Sequence, residues 1–157
     1  MKFTSELRYA APPSDVRRML ADPAFREAVC TELHALRREV SVEDRGATMT
    51  VVVDQTQPAR GIPAFATKFV GEEIRLLQRE EWDGPTSAAL TIEIPGKPGA
   101  FAGTITLRGE ESTTQSVVGD VKVKLPLIAG RLETLVADVL TRALGIEERV
   151  GRAWLAR

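Results

Sequence analysis

The chain reads as an α+β fold, an antiparallel sheet of about seven strands packed on a long C-terminal helix. Three observations predict it. A period-two segment, Phe3–Tyr9, is followed by two short helical patterns. Six further period-two segments separated by turn residues run from Leu36 to Lys124. The segment from about Pro126 to Trp154 carries apolar residues at spacings of three and four, the signature of an amphipathic helix. A sheet with one apolar face must bury it, and the terminal helix offers the matching stripe.

In the first strand Phe3, Ser5, Leu7 and Tyr9 alternate with Lys2, Thr4, Glu6 and Arg8. Pro12-Pro13-Ser14-Asp15 stops it and can cap a helix that carries Val16, Met19 and Leu20. Asp22-Pro23 restarts the helical pattern, with Asp22 as N-cap and Pro23 at the first helical position. Phe25, Val29, Cys30 and Leu33 form the stripe of this second helix.

Leu36, Arg38, Val40 and Val42 share one face of the next strand, Asp44-Arg45-Gly46 is a turn, and Met49, Val51 and Val53 continue the hairpin. Gln55 to Gly61 reads as a loop. Pro63 to Val70 reads as a short helix ended by Gly71, with Phe65 and Phe69 one turn apart on one face. Four strands follow, Ile74–Trp82, Ser87–Ile94, Phe101–Arg108 and Thr114–Lys124, as an antiparallel meander. In the terminal helix Ile128, Leu132, Leu135, Val136, Val139, Leu140 and Ala143 face the core, and Gly145 marks a bend or the start of fraying.

Composition bounds the function. The 157 residues are 43% hydrophobic, 27% charged and 5% aromatic, as in an ordinary globular chain, and no linker divides them, so 1–157 reads as one domain. Lys plus Arg number 21 against 22 for Asp plus Glu, which argues against a general nucleic-acid or anionic-membrane binder. No run approaches the roughly 20 apolar residues of a membrane span, and the charged N-terminus does not read as a secretory signal. A single cysteine, Cys30, excludes an intrachain disulfide and fits a cytoplasmic location. One His and one Cys give no metal-ligating pattern, and no phosphate-binding glycine loop occurs, so no cofactor or metal is indicated.

Catalytic pairs are scarce. Cys30 and His34 stand one helical turn apart but have no orienting carboxylate, so a structural cysteine and a helix-end histidine are expected. Glu80 and Glu81, like Glu110 and Glu111, are neighbours whose side chains should point to opposite faces of a strand, not form an acid–base pair. Arg142, Arg149, Arg152 and Arg157 surround Trp154, and a solvated helix end is expected there.

The order of elements resembles the START-like, or helix-grip, superfamily (SRPBCC), whose members wrap a curved sheet around a long C-terminal helix. Two segments, Ile62-Pro63-Ala64-Phe65 through Gln78-Arg79-Glu80-Glu81-Trp82 and Val121 through Glu133, are similar to an uncharacterised actinobacterial family within it. The resemblance implies a cavity for a hydrophobic ligand and brings no catalytic signature.

The inward parity of the strands identifies residues for such a cavity. Arg38, Gln78, Glu80 and Gln115 are polar on otherwise apolar faces, as a pocket that orients one polar ligand end requires. An Arg38–Glu80 ion pair, or exposure at strand ends, is the structural alternative. Tyr9, Trp82, Leu90 and Phe101 from the sheet, Leu132 and Val136 from the terminal helix, and Phe65 and Phe69 as lid or plug complete the expected lining. Gly103 and Gly119 either let the helix approach or leave a void. The sequence thus favours a non-enzymatic protein that binds a small hydrophobic or amphipathic molecule. A cyclase- or hydratase-like enzyme on the same scaffold and an interaction module with a filled core are the alternatives.

Overall fold

In a computed structural model that describes residues 1–157, every predicted strand and helix is present. The first strand, β1 (Lys2–Tyr9), leads into α1 (Pro13–Leu20) and α2 (Pro23–Glu32). Asp22 caps α2 as expected, its Oδ1 accepting from the Ala24 amide at 2.9 Å. The start of α1 has no side-chain cap. Pro13 takes the first position, and the Pro12 carbonyl accepts from Asp15 and Val16.

Then come β2 (Arg37–Asp44), β3 (Thr48–Pro58), α3 (Ala64–Val70), β4 (Glu73–Asp83), β5 (Ser87–Glu93), β6 (Gly99–Arg108), β7 (Thr113–Val123) and α4 (Ala129–Leu155). All seven strands form one antiparallel sheet in the order β1-β7-β6-β5-β4-β3-β2. The first two strands in sequence therefore lie at opposite edges, and α1 and α2 connect those edges. The long helix α4 contacts β1, β7, α1 and α2, so it lies across the concave side where the inward side chains converge. Phe3, Leu7, Val51, Trp82, Leu90, Phe101, Val117 and Val121 from the sheet meet Ala137 and Leu140 of α4 in the main core.

Four expectations are corrected. Gln55–Pro58 is not loop: β3 continues to Pro58, with Gln55, Thr56 and Gln57 opposite Leu76, Arg75 and Ile74. Polar side chains on a strand imitate a loop when their inward face meets a polar space. Gly145 neither bends nor frays α4, which runs unbroken through it. Leu36 is 52% exposed, because it precedes β2 and stands outside the concave face. The glycines Gly103 and Gly119 face each other across β6 and β7, and neither a void nor the helix occupies the space above them. The Phe101 ring does: an added Cβ would meet its Cζ at 2.9 Å from Gly103 and 2.7 Å from Gly119.

Close approach of α4 depends on another glycine. A Cβ on Gly151 would stand 2.6 Å from the Tyr9 ring and 3.1 Å from Met19, so the last turns of α4 sit directly on β1 and α1. The small helix α3 closes the opposite end, where buried Ala66 packs with Val123 and Leu132.

Candidate functional site

The space between the sheet and α4 is not filled. A cavity of about 80 Å³ lies at its inner end, and an adjoining one of about 300 Å³ extends toward α3. Leu76, Ile92, Phe101 and Leu140 line both. The outer chamber has apolar walls from α4, β4 and the α3 segment, including Phe69, Leu132 and Val136. Its rim carries the exposed charges Glu73, Arg75, Lys97 and Arg142, which mark where it meets solvent.

The inner end is built around a buried carboxylate. Glu80 points inward from β4 and is 1% exposed, whereas Glu81 points to solvent, as strand parity predicts. Arg26, projecting from α2 and 3% exposed, grips Glu80 with two bonds, Nη1 to Oε2 at 2.8 Å and Nη2 to Oε1 at 2.9 Å. Gln78 Nε2 donates to Oε2 at 2.7 Å, and Trp82 Nε1 donates to Oε1 at 2.9 Å. Arg26 Nε donates to the Leu20 carbonyl at 2.9 Å. Burial alone would raise the Glu80 carboxyl, but the Arg26 charge and these four hydrogen bonds hold it below the usual range.

Glu147 of α4 faces the same guanidinium, its Oε1 3.8 Å from Arg26 Nη1. It is 8% exposed and lines the cavity. Burial pushes its carboxyl up, Arg26 pulls it down, Glu80 pushes it up and the Gln115 amide pulls it down, leaving it at about 7. Burial thus raises both carboxyl groups beside this cation, but the Arg26 charge and four hydrogen bonds leave Glu80 lowered, while Glu147 stays raised. Gln115, 1% exposed, also lines the cavity, with its Oε1 unpartnered. Gln55 and Gln57 extend the polar lining from β3, joined by a 3.1 Å bond from Gln57 Nε2 to Gln55 Oε1.

The expected lining residues divide. Gln78, Glu80, Gln115, Leu90 and Phe101 line the inner cavity, and Phe69, Phe101, Leu132 and Val136 line the outer one. Arg38 does not reach it. It sits at the sheet edge, where its guanidinium donates to the Glu27 carbonyl and Thr31 and pairs with the Glu27 carboxylate at 3.6 Å. The Arg38–Glu80 pair is therefore replaced by Arg26–Glu80. Trp82 stands behind the cavity, with the Arg17 guanidinium 5.4 Å from its ring centroid and its indole N–H spent on Glu80. Tyr9 is buried against Gly151 with its hydroxyl unpartnered, and burial raises its ionisation well above the ordinary phenol range. Phe65 does not line the chamber; it packs against the cluster of Ala66, Val123 and Leu132 and is covered by the Arg131 guanidinium 4.0 Å from its centroid.

Arg26, Glu147, Gln55 and Gln57 were not anticipated. The sequence does hold their signal. Arg26 lies four residues before Cys30 and three before Val29, on the apolar stripe of α2, and Glu147 lies four after Ala143 on that of α4. Gln55 and Gln57 continue the inward parity of Met49, Val51 and Val53. Cys30 is buried, and burial pushes its thiol up, while His34 lies beyond the helix end at φ 60 and is exposed, so they form no nucleophile–base pair.

Residues 4–155 match the model of a family described as protein of unknown function (DUF2505). No curated protein matches the chain in sequence. Among solved structures, TTHA0849 from Thermus thermophilus is similar at 21% identity and TM-score 0.64, with 98% of each chain covered. Zhui aromatase/cyclase from Streptomyces sp. R1128 is similar at 14% identity and TM-score 0.65, over 100% of this chain and 94% of that one. A START superfamily protein from Mycobacterium smegmatis is similar at 17% identity and TM-score 0.55, over 95% and 96%. At these identities the likeness is one of fold: the sheet and terminal helix form the helix-grip fold of the START superfamily.

Proposed function

The chain belongs to the family described as protein of unknown function (DUF2505), and we propose that it is a binding protein holding a small hydrophobic or amphipathic molecule between its sheet and α4. The observation that carries this reading is the pair of adjoining cavities, one wide and apolar, the other narrow and lined by glutamines and carboxyl groups. Such a graded space suits a ligand with an apolar body and one polar end. In this reading Leu76, Ile92, Leu132 and Val136 hold the body, and Gln78, Gln115 and Glu147 meet the polar end. Phe69 stands beside the route in from solvent.

A second reading, a cyclase-like enzyme, is favoured by one observation. Glu147 lines the cavity with its carboxyl raised to about 7, where it can give or take a proton near neutral pH. The likeness in fold to an aromatase/cyclase agrees with it. A single domain over 1–157, an actinobacterial origin and a cytoplasmic location complete the proposal. They rest on the absence of a linker, on the two similar segments and on the lone cysteine.

Native mass spectrometry of the purified protein tests the binding reading, followed by extraction of whatever is bound. A reproducible mass increment that extracts as one class of small apolar molecule is expected. A clean apo mass, persisting after incubation with cell extract, would overturn it.

A further inference from the structure

We propose that the inner end of the cavity selects a ligand tipped with an uncharged hydroxyl, which hydrogen-bonds the Glu147 carboxyl, and that it turns away carboxylate and ammonium tips. This rests on the binding reading above and specifies its ligand.

Most donors around that end are drawn to Glu80 or to the backbone. Glu80 accepts four hydrogen bonds, the full complement of a carboxylate. Arg26 spends Nη1 and Nη2 on Glu80 and Nε on the Leu20 carbonyl. Gln78 Nε2 donates to Glu80 and Gln57 Nε2 to Gln55. Two acceptors keep open capacity: Gln115 Oε1, buried and unpartnered, and the Glu147 carboxyl, which lines the cavity with its Oε1 3.8 Å from Arg26 Nη1 and the Gln115 amide beside it. A carboxyl has about four acceptor sites, so a ligand donor can add to those that Arg26 and Gln115 leave open.

The charges decide which partner fits. A carboxylate tip would bring a further negative group beside Glu80 and Glu147, with the only nearby cation already paired. An ammonium tip would approach the Arg26 guanidinium, which lies 3.8 Å from the same Glu147 oxygen, and would give up its hydration in a chamber whose walls are mostly apolar. A hydroxyl meets neither obstacle. It donates to Glu147 as carboxylate, or exchanges donor and acceptor roles with it as carboxylic acid, and at about 7 both forms are present near neutral pH.

Isothermal titration calorimetry at pH 7 with 1-decanol, decanoate, decylammonium and methyl decyl ether tests this. The expected order puts 1-decanol at least about tenfold tighter than each of the others, the effect of one buried hydrogen bond to a charged or acidic group. In Glu147→Leu the alcohol should fall to the level of the ether, with the ether's own affinity within about twofold of wild type, whereas Glu147→Gln, which keeps an acceptor, should retain the preference. Decanoate or decylammonium binding as tightly as the alcohol to the wild-type protein would overturn the proposal and leave the cavity reading standing. So would an alcohol preference that survives in Glu147→Leu. Binding by none of the four compounds would overturn both.

Discussion

At the inner end of the cavity, position is fixed by five directional bonds: four on Glu80, from Arg26 twice, Gln78 and the Trp82 indole, and a fifth from Arg26 to the Leu20 carbonyl. At the outer end, α3 is held by apolar packing around Ala66, Val123 and Leu132 and by the Arg131 guanidinium over Phe65, beside a chamber of about 300 Å³. Directional bonds lose their value when an atom moves by less than an ångström, while apolar contacts tolerate rearrangement. The inner end is therefore suited to chemical discrimination and the outer end to accommodating size. The inner end holds a contrast of its own. Glu80 is saturated with donors and depressed, while Glu147, 3.8 Å from the same Arg26 Nη1, has fewer and is raised.

The sharpest way to break the contrast is to remove Glu80. Glu80→Leu takes the two short bonds from the buried Arg26 charge, leaving it only Glu147 at 3.8 Å, and should cost about 3 kcal/mol in urea unfolding. Adding Arg26→Met should recover part of that loss, because the stranded charge disappears. Equal instability of the single and double variants would show that the pair is not what organises the inner end.

Glu147 tests the contrast from the other side. Its folded value of about 7 exceeds the 4.5 of an unperturbed glutamate, so the folded protein binds this proton more tightly than the unfolded chain. Its contribution to stability is complete below pH 4.5 and is lost as the pH rises through 7. Glu147→Gln should thus be more stable than wild type by about 3 kcal/mol at pH 8, with the difference vanishing by pH 4. A difference that does not vary with pH would contradict the assignment.

Smaller effects belong to the packing that separates the two ends. Gly103→Ala would place a Cβ 2.1 Å from the Val118 carbonyl oxygen and against the Phe101 ring, which lines both cavities. A loss of about 1–3 kcal/mol is expected, from the overpacking this forces. Phe69→Ala at the outer end should cost only about 1 kcal/mol, since the ring is half-buried beside open space. Stopped-flow release of a bound alcohol should become faster in this variant, with its equilibrium preference for alcohol over carboxylate unchanged.

Most of the architecture was legible because sheet and helix announce themselves by period. The alternation of Phe3, Leu7 and Tyr9 and the stripe through Leu132, Val136 and Leu140 hold in the structure. The site was legible only in part. Gln78, Glu80 and Gln115 were found because parity alone places them inward. Arg26 and Glu147 were passed over because a charge on a helix is ordinarily solvated, and only its position on an apolar stripe distinguishes a buried one. Arg38 erred in the opposite way. Its parity is inward, but β2 is an edge strand, and a long side chain there reaches α2 and solvent instead of the cavity. Pairing across the sheet-to-helix gap, which joined Glu80 to Arg26, depends on the docking of α2 and leaves no mark in local sequence pattern.

The central claim is that one continuous ligand space runs from Glu147 to α3. Methyl-resolved NMR during titration with 1-decanol tests it most directly. Leu76, Ile92 and Leu140, which line both cavities, should shift together and saturate at one ligand per chain, while exposed Leu36 and Leu127 stay in place. Shifts confined to exposed methyls, or none at all in the residues shared by the two cavities, would contradict it.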